Sequence, residues 1–260
     1  MRRHSFQSEY PEDVPSDIAG IPLTNDVLTA HHEAITLRER LDASSRTLVL
    51  SAVRSFYFMK QVNADIVHAK VLPGGLEESV AVLRQDLLRL AVIAIGTVND
   101  TSARTSSLHN TVYAVRAKLA ELDTPDASAA LELVESVRSS IDANTQTPLR
   151  YVRHLRNKWA GHASTDRDVD EWAGAHQTVS LVRVEKALEI LVNAHQDLYE
   201  VLALSDSAAT LLAPSVPTVE TSPQTDLGIE WENVVVLAEL TRASAQRAAT
   251  RLVDRILRDQ

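Results

Sequence analysis

Residues 76–98 read LEESVAVLRQDLLRLAVIAIGTV, and this stretch decides the fold class. Its apolar residues fall around most of a helical circumference, the mark of a helix enclosed by neighbours. Pro73-Gly74-Gly75 stops whatever precedes it and Asn99-Asp100-Thr101 ends it. On the N-terminal side, Leu48, Ala52, Ser55 or Phe56, Met59, Val62 and Ile66 recur every three or four residues, predicting a helix over 43–72. The aromatic cluster Phe56-Tyr57-Phe58 lies within that periodic run, so core packing outweighs base stacking as its role.

On the C-terminal side the same spacing continues. Ser106 or Ser107 caps a helix over 108–122, with Val112, Val115 and Leu119 aligned. Thr124-Pro125-Asp126 opens another with Pro in its first turn, and Leu131, Val134, Val137 and Ile141 form its inner stripe. Pro148 begins a further helix. One over 179–204 buries Val184, Leu188, Leu191, Ala194, Leu198 and Val201. No alternation is sustained enough for a sheet, and there is no internal repeat or glycine-rich phosphate loop. The expected fold is an all-α, up-and-down helical bundle with N-terminal and C-terminal helical extensions.

The expected organisation has four parts. Residues 1–20, punctuated by Pro11 and Pro15, form a flexible arm. Residues 21–204 form the bundle, including a helix opened by Pro22. His31 and His32 lie in that helix; His32-Glu33-Ala34-Ile35-Thr36 begins like a zinc-protease string but has Thr where the second His must stand, so no metal site follows. Residues 205–228, with Pro214, Pro217 and Pro223, are a linker. Residues 229–260 hold a last amphipathic helix with Val234, Leu237, Leu240, Ala245, Ala248, Leu252 and Ile256 on one side. Arg242, Arg247, Arg251, Arg255 and Arg258 lie on the other. That helix either lies back on the bundle or offers its apolar stripe to a partner.

Composition narrows the chemistry. Hydrophobic residues make up 45% of 260, enough for a sizeable core, and aromatics only 4%. The absence of cysteine excludes disulfides, thiol catalysis and thiolate zinc sites, and fits a reducing cytoplasm. No apolar run approaches the ~20 residues of a membrane span, and Met1-Arg2-Arg3-His4-Ser5 is not followed by the apolar run of a secretory signal. No cofactor is expected. With a net charge of -9 the chain lacks the basic footprint of nucleic-acid binders, so a small positive site is open but tight binding to long RNA is not supported. No helix-turn-helix spacing supports a DNA-binding regulator.

Against that acidic background stands LRYVRHLRNKWAGHAS, residues 149–164, with Arg150, Arg153, Arg156, Asn157 and Lys158 within three turns. Arg is shaped to hold a phosphate through two parallel hydrogen bonds, and His exchanges a proton near neutral pH. Arg156 and His162 would lie about 120° apart on an uninterrupted helix. A helix end at Gly161 would free His162 to swing back, or the pair could meet across a two-fold axis. Asp100 either caps its own turn or meets Arg156 or His162. The acidic segment 164–178, with Asp166, Asp168, Asp170 and Glu171, either neutralises the arginines or gates the site.

Leu155-Arg156-Asn157-Lys158-Trp159-Ala160-Gly161-His162 resembles the signature of HEPN domains, and within them the string Leu-Arg-x-Lys-aromatic-small-small-His of the abortive-infection U-type branch. A second stretch is similar to that branch: Leu87-Leu88-Arg89-Leu90-Ala91-Val92-Ile93-Ala94, Asn99-Asp100, then Ser106-Ser107-Leu108-His109. The resemblance spans residues 43–204. It implies a helical bundle that dimerises through the motif helices and cuts RNA without a metal. Arg156 would stabilise the phosphate, His162 would act as acid or base, and Asn157 would orient substrate or His; Arg153, Lys158 and Asp100 would line the substrate. The other reading is a non-catalytic, HEPN-like interaction or nucleotide-binding module, such as the partner of a nucleotidyltransferase-type antitoxin. The expected partners are RNA or a nucleotide, a second copy of the chain and an antitoxin protein, with no membrane.

Overall fold

The computed structural model describes residues 44–69, 75–121, 125–160, 172, 174, 175, 177–204 and 233–258. The chain divides into two compact units, 1–35 and 36–260, and every described residue belongs to the second. The expected arm over 1–20, the helix opened by Pro22, the glycine stop at Gly161, His162, the carboxylates of 166–171 and the linker over 205–228 lie outside the described residues.

The unit is an all-α bundle. Its helices are α1 (Arg46–His68), α2 (Glu77–Val98), α3 (Leu108–Ala120), α4 (Pro125–Ser140), α5 (Thr147–Leu155), α6 (Leu181–Leu204) and α7 (Val234–Arg258). A π turn, Arg156–Ala160, continues α5. Among the described residues there is no strand. Consecutive helices pair as α1 with α2, α3 with α4 and α5 with α6, while α6 also meets α1, α3 and α4.

Each element forms for a local reason. Glu77 and Glu78 open α2, where carboxylates oppose the positive end of the helix dipole. Ser107 caps α3: its hydroxyl accepts from the Asn110 N–H (3.2 Å) and donates to the Asp100 carbonyl (2.6 Å), so the loop between α2 and α3 is tied at both ends. Pro148 sits in the first turn of α5, where its missing N–H costs nothing. Asn233 caps α7, its Oδ1 accepting from the N–H groups of Val235 (3.0 Å) and Val236 (3.1 Å).

The main core joins all seven helices around Phe56, Val92, Ile95, Leu108, Val134, Leu155, Leu191 and Leu198. A smaller one, Val62, Ile66, Val80, Ala249 and Val253, is closed by α7. The last helix therefore lies back on the bundle. Arg242 sits over the Tyr57 ring at 5.4 Å and Thr250 donates to Asp65 at 2.8 Å, so α1 and α7 run parallel. Phe56 is fully buried and meets Tyr57 edge-on at 5.2 Å, as core packing requires.

Two expectations need correction. Helix α2 is not enclosed all round: its buried residues are Val80 and then Ala91, Val92, Ile95, Gly96 and Val98, whereas Val82 and Leu90 are half exposed. Its first half meets α1 on one side, and only its last two turns run inside the bundle. On α7 the inner stripe passes through Ala238, Ala249 and Val253, leaving Leu240 and Ala248 exposed. Small residues face α1 there because the two parallel helices lie closely along one another.

Candidate functional site

The sequence motif turns out to be a change of helix type. Helix α5 keeps ordinary spacing to Leu155, with Leu149, Tyr151, Val152 and Leu155 buried, then widens to i→i+5 bonding over Arg156–Ala160. Such single π turns disrupt regular side-chain stacking and recur at functional sites. Trp159, nearly buried, anchors the turn to the core, and the Arg89 guanidinium lies 5.5 Å from its ring. The turn rests against α2.

That contact delivers Arg156 to the C-terminal end of α2. Its Nη2 donates to Asp100 Oδ2 at 2.7 Å and its Nη1 to the Gly96 carbonyl at 3.3 Å. Gly96 is a requirement of this geometry, since a Cβ there would stand 2.6 Å from Arg156 Cδ. Two of the five guanidinium N–H groups are thus committed among the described residues. The Asp100 carboxylate also accepts from the Ser102 N–H at 3.0 Å, so it both caps its turn and holds the arginine. Burial pushes the Asp100 carboxyl upward, but the hydrogen bonds from Arg156 and from the Ser102 and Thr101 backbone, with the guanidinium charge, bring it below the usual carboxylate range.

This lowering makes a stability statement with a definite sign. A depressed carboxyl stabilises the fold above its unfolded value of about 3.9, and the contribution is lost as pH falls through the folded value. Urea unfolding of wild type and Asp100→Asn should therefore differ at pH 7 and converge at pH 2–3. A difference that stays constant over that range would show that the charge is not what Asp100 contributes.

Around the ion pair lies a cleft of about 170 Å³, lined by Gly96, Asn99, Asp100, Arg153, Arg156 and Asn157 among others. Asn99 donates through Nδ2 to the Ile141 carbonyl (2.9 Å), fixing the loop after α4, while its buried Oδ1 has no hydrogen-bond partner among the described residues. Arg153 donates to Asn144 Oδ1 at 3.0 Å on the rim.

Of the residues singled out by sequence, Arg156, Asn157, Arg153 and Asp100 share this cleft. Lys158 is half-buried on the π turn and does not line it; two positions after Arg156, it faces the other side of the helix. His162 lies outside the described residues. The row of cations is also divided. Arg150 lies 5.3 Å from the Trp172 ring, which Tyr151 and His154 also meet, each at 5.6 Å.

Sequence reasoning missed Gly96 and Asn99 as contributors to the cleft. A lone glycine inside the most apolar helix was the available signal for the first. His109, in the first turn of α3, stacks on Tyr113 at 4.5 Å. Burial lowers its pKa from the ordinary imidazole value, and the neighbouring carboxylates of Asp142 and Asp100 offset this only in part.

Chemically, the cleft offers a guanidinium with unused donors, a second guanidinium at the rim and an exposed amide at Asn157, an arrangement suited to a phosphate-sized anion. Comparison with family models, with curated proteins and with solved structures finds no match for this chain. Among the described residues no helix is long and apolar enough to cross a membrane.

Proposed function

We propose that the chain is a metal-independent endoribonuclease of toxin or phage-defence type, a HEPN-like protein closest to the abortive-infection U-type branch. It acts in the cytoplasm as a homodimer whose composite Arg/His site lies at the subunit interface. The observation that carries this reading is Arg156, gripped by Asp100 and the Gly96 carbonyl at the wall of a polar cleft while part of its donor set stays unused. A guanidinium held in this way is preoriented, which is what stabilisation of growing phosphoryl charge requires.

In this mechanism His162 withdraws the proton from a ribose 2′-hydroxyl. The 2′-oxygen attacks the adjacent phosphorus, the bond to the 5′-oxygen breaks, and that oxygen takes a proton from the other subunit's His162. Arg156 neutralises the non-bridging oxygens as their charge rises, and Asn157 orients substrate or imidazole. The products are a 2′,3′-cyclic phosphate and a 5′-hydroxyl, with no water or metal consumed. Incubating the purified full chain with RNA and a chelator should yield these ends, and His162→Ala should abolish them. Identical RNA profiles for the two proteins would remove the nuclease reading.

One observation favours a second reading. The same Asp100–Arg156 pair, at 2.7 Å and largely shielded from solvent, would serve equally as a lock between α2 and the π turn in a non-catalytic module. Such a module would bind a nucleotide or an antitoxin protein. A nucleotide-induced rise in melting temperature without any RNA cleavage would favour it.

A further inference from the structure

We infer that the outward face of α7 is a second anion site, a track for the phosphate backbone of single-stranded RNA. Arg247, Arg251 and Arg255 stand at i, i+4 and i+8 on this helix, all exposed. Each step of four residues advances about 6 Å and turns about 40°, so the three guanidiniums form one gently winding row. Their surroundings distinguish them from an ordinary solvated face. Arg242 is paired with Glu239 at 2.9 Å and Arg258 with Asp254 at 3.4 Å, whereas Arg247, Arg251 and Arg255 make no ion pair or hydrogen bond among the described residues.

The one carboxylate on the facing part of α1, Asp65, is held by two neutral donors and keeps its charge. It accepts from Gln61 Nε2 at 2.7 Å and from Thr250 Oγ1 at 2.8 Å. Beside the row runs an open groove of about 400 Å³ between α1 and α7, lined by Gln61, Gln246, Arg247, Thr250 and Arg251. Gln246, Arg247 and Arg251 bring donors to this groove, while Gln61 and Thr250 each give one to Asp65. In a chain of net charge -9, three arginines without an ion pair among the described residues outweigh the single carboxylate of Asp65 beside them and make a local excess of positive charge.

Regular spacing selects the ligand. A row with a repeat near 6 Å matches successive phosphates along a nucleic-acid strand better than scattered carboxylates on a folded protein. A groove open along its length suits a flexible strand better than a rigid duplex. The track goes beyond the proposed cleavage chemistry and stands without it, because backbone binding needs no 2′-hydroxyl and no histidine.

The test uses a fluorescein-labelled 2′-O-methyl oligouridylate of about 20 nucleotides, which cannot be cleaved by 2′-oxygen attack. Anisotropy is followed across a salt titration with chelator present. Wild type should bind with a salt slope that falls by about 2 in the triple variant R247Q/R251Q/R255Q, as expected for three lost phosphate contacts on a single strand. Its affinity at low salt should drop at least roughly tenfold, while the paired-arginine control R242Q/R258Q should stay within about twofold. Unchanged thermal melts would show that the substitutions leave the fold intact. No binding by wild type, an unchanged slope in the triple variant, or triple-dependent binding to phosphatidylserine vesicles but not to the oligonucleotide would each overturn the proposal. Binding without cleavage of ordinary RNA would keep the track and remove the nuclease; cleavage of short RNA with no track dependence would do the reverse.

Discussion

Arg156→Gln is expected to lower RNA cleavage by about 10²–10³-fold, the usual cost of removing one preorganised donor from a developing oxyanion. Gln is shorter, uncharged and cannot bridge Asp100 to the Gly96 carbonyl, so both the charge and its anchorage go. Two companions separate these effects. Asp100→Asn leaves the guanidinium in place but removes the carboxylate that orients it, so a smaller loss, roughly tenfold, is expected. Gly96→Ala keeps both partners yet puts a methyl group 2.6 Å from Arg156 Cδ, so the side chain must move. Its loss should follow that of Arg156→Gln in direction, even though Ala is the better helix former by about 0.5–1 kcal/mol. Single-turnover rates on a short RNA measure all three. Cleavage by Arg156→Gln within threefold of wild type would end the role assigned to this residue.

The largest effect on stability is expected at Phe56. Its side chain is fully buried in the main core and stands edge-on to Tyr57 at 5.2 Å. Truncation to Ala removes the transfer free energy of a whole ring and leaves a cavity that helices packed on several sides cannot fill. The cost should be about 3–5 kcal/mol. For a unit of this size each kcal/mol moves the midpoint by about 2–4 °C, so a fall of roughly 6–20 °C is expected in calorimetry. Val82→Ala, on the half-exposed face of α2, should change stability by less than about 0.5 kcal/mol. Similar midpoints for the two variants would mean that the core is not organised around α1.

These two cases also show what could be read from the amino-acid order. Phe56 lies in a run whose apolar residues repeat every three or four positions, and that period is enough to place α1 and its inner face. Local signals set the start of α4 at Pro125 and narrowed the cap of α3 to Ser106 or Ser107, of which the structure uses Ser107, because proline and serine act on their own neighbours. The period failed for Val82, Leu90, Leu240 and Ala248, where an apolar residue faces outward. Periodicity reports that a helix is amphipathic but not how many neighbours surround each turn. At the cleft, the residue types of Arg156 and Asp100 were legible, and so was a possible meeting between them. The π turn was not, since i→i+5 bonding has no composition of its own, and the need for Gly96 arises from a side chain 60 positions away in sequence. Lys158 was assigned to the substrate by adjacency along the chain, and it does not line the cleft that holds Arg156.

The parallel pairing of α1 with α7 has a consequence for biosynthesis. The helix nearest the start of the described residues is completed by the last one, so Val62, Ile66 and Val80 lack their cover until residues 249–253 have emerged from the ribosome. Translation must pass residue 253 before that face closes. A product halted ahead of residue 234 would carry a bare apolar strip at Val62, Ile66 and Val80, the kind of surface that makes partly folded chains prone to aggregate.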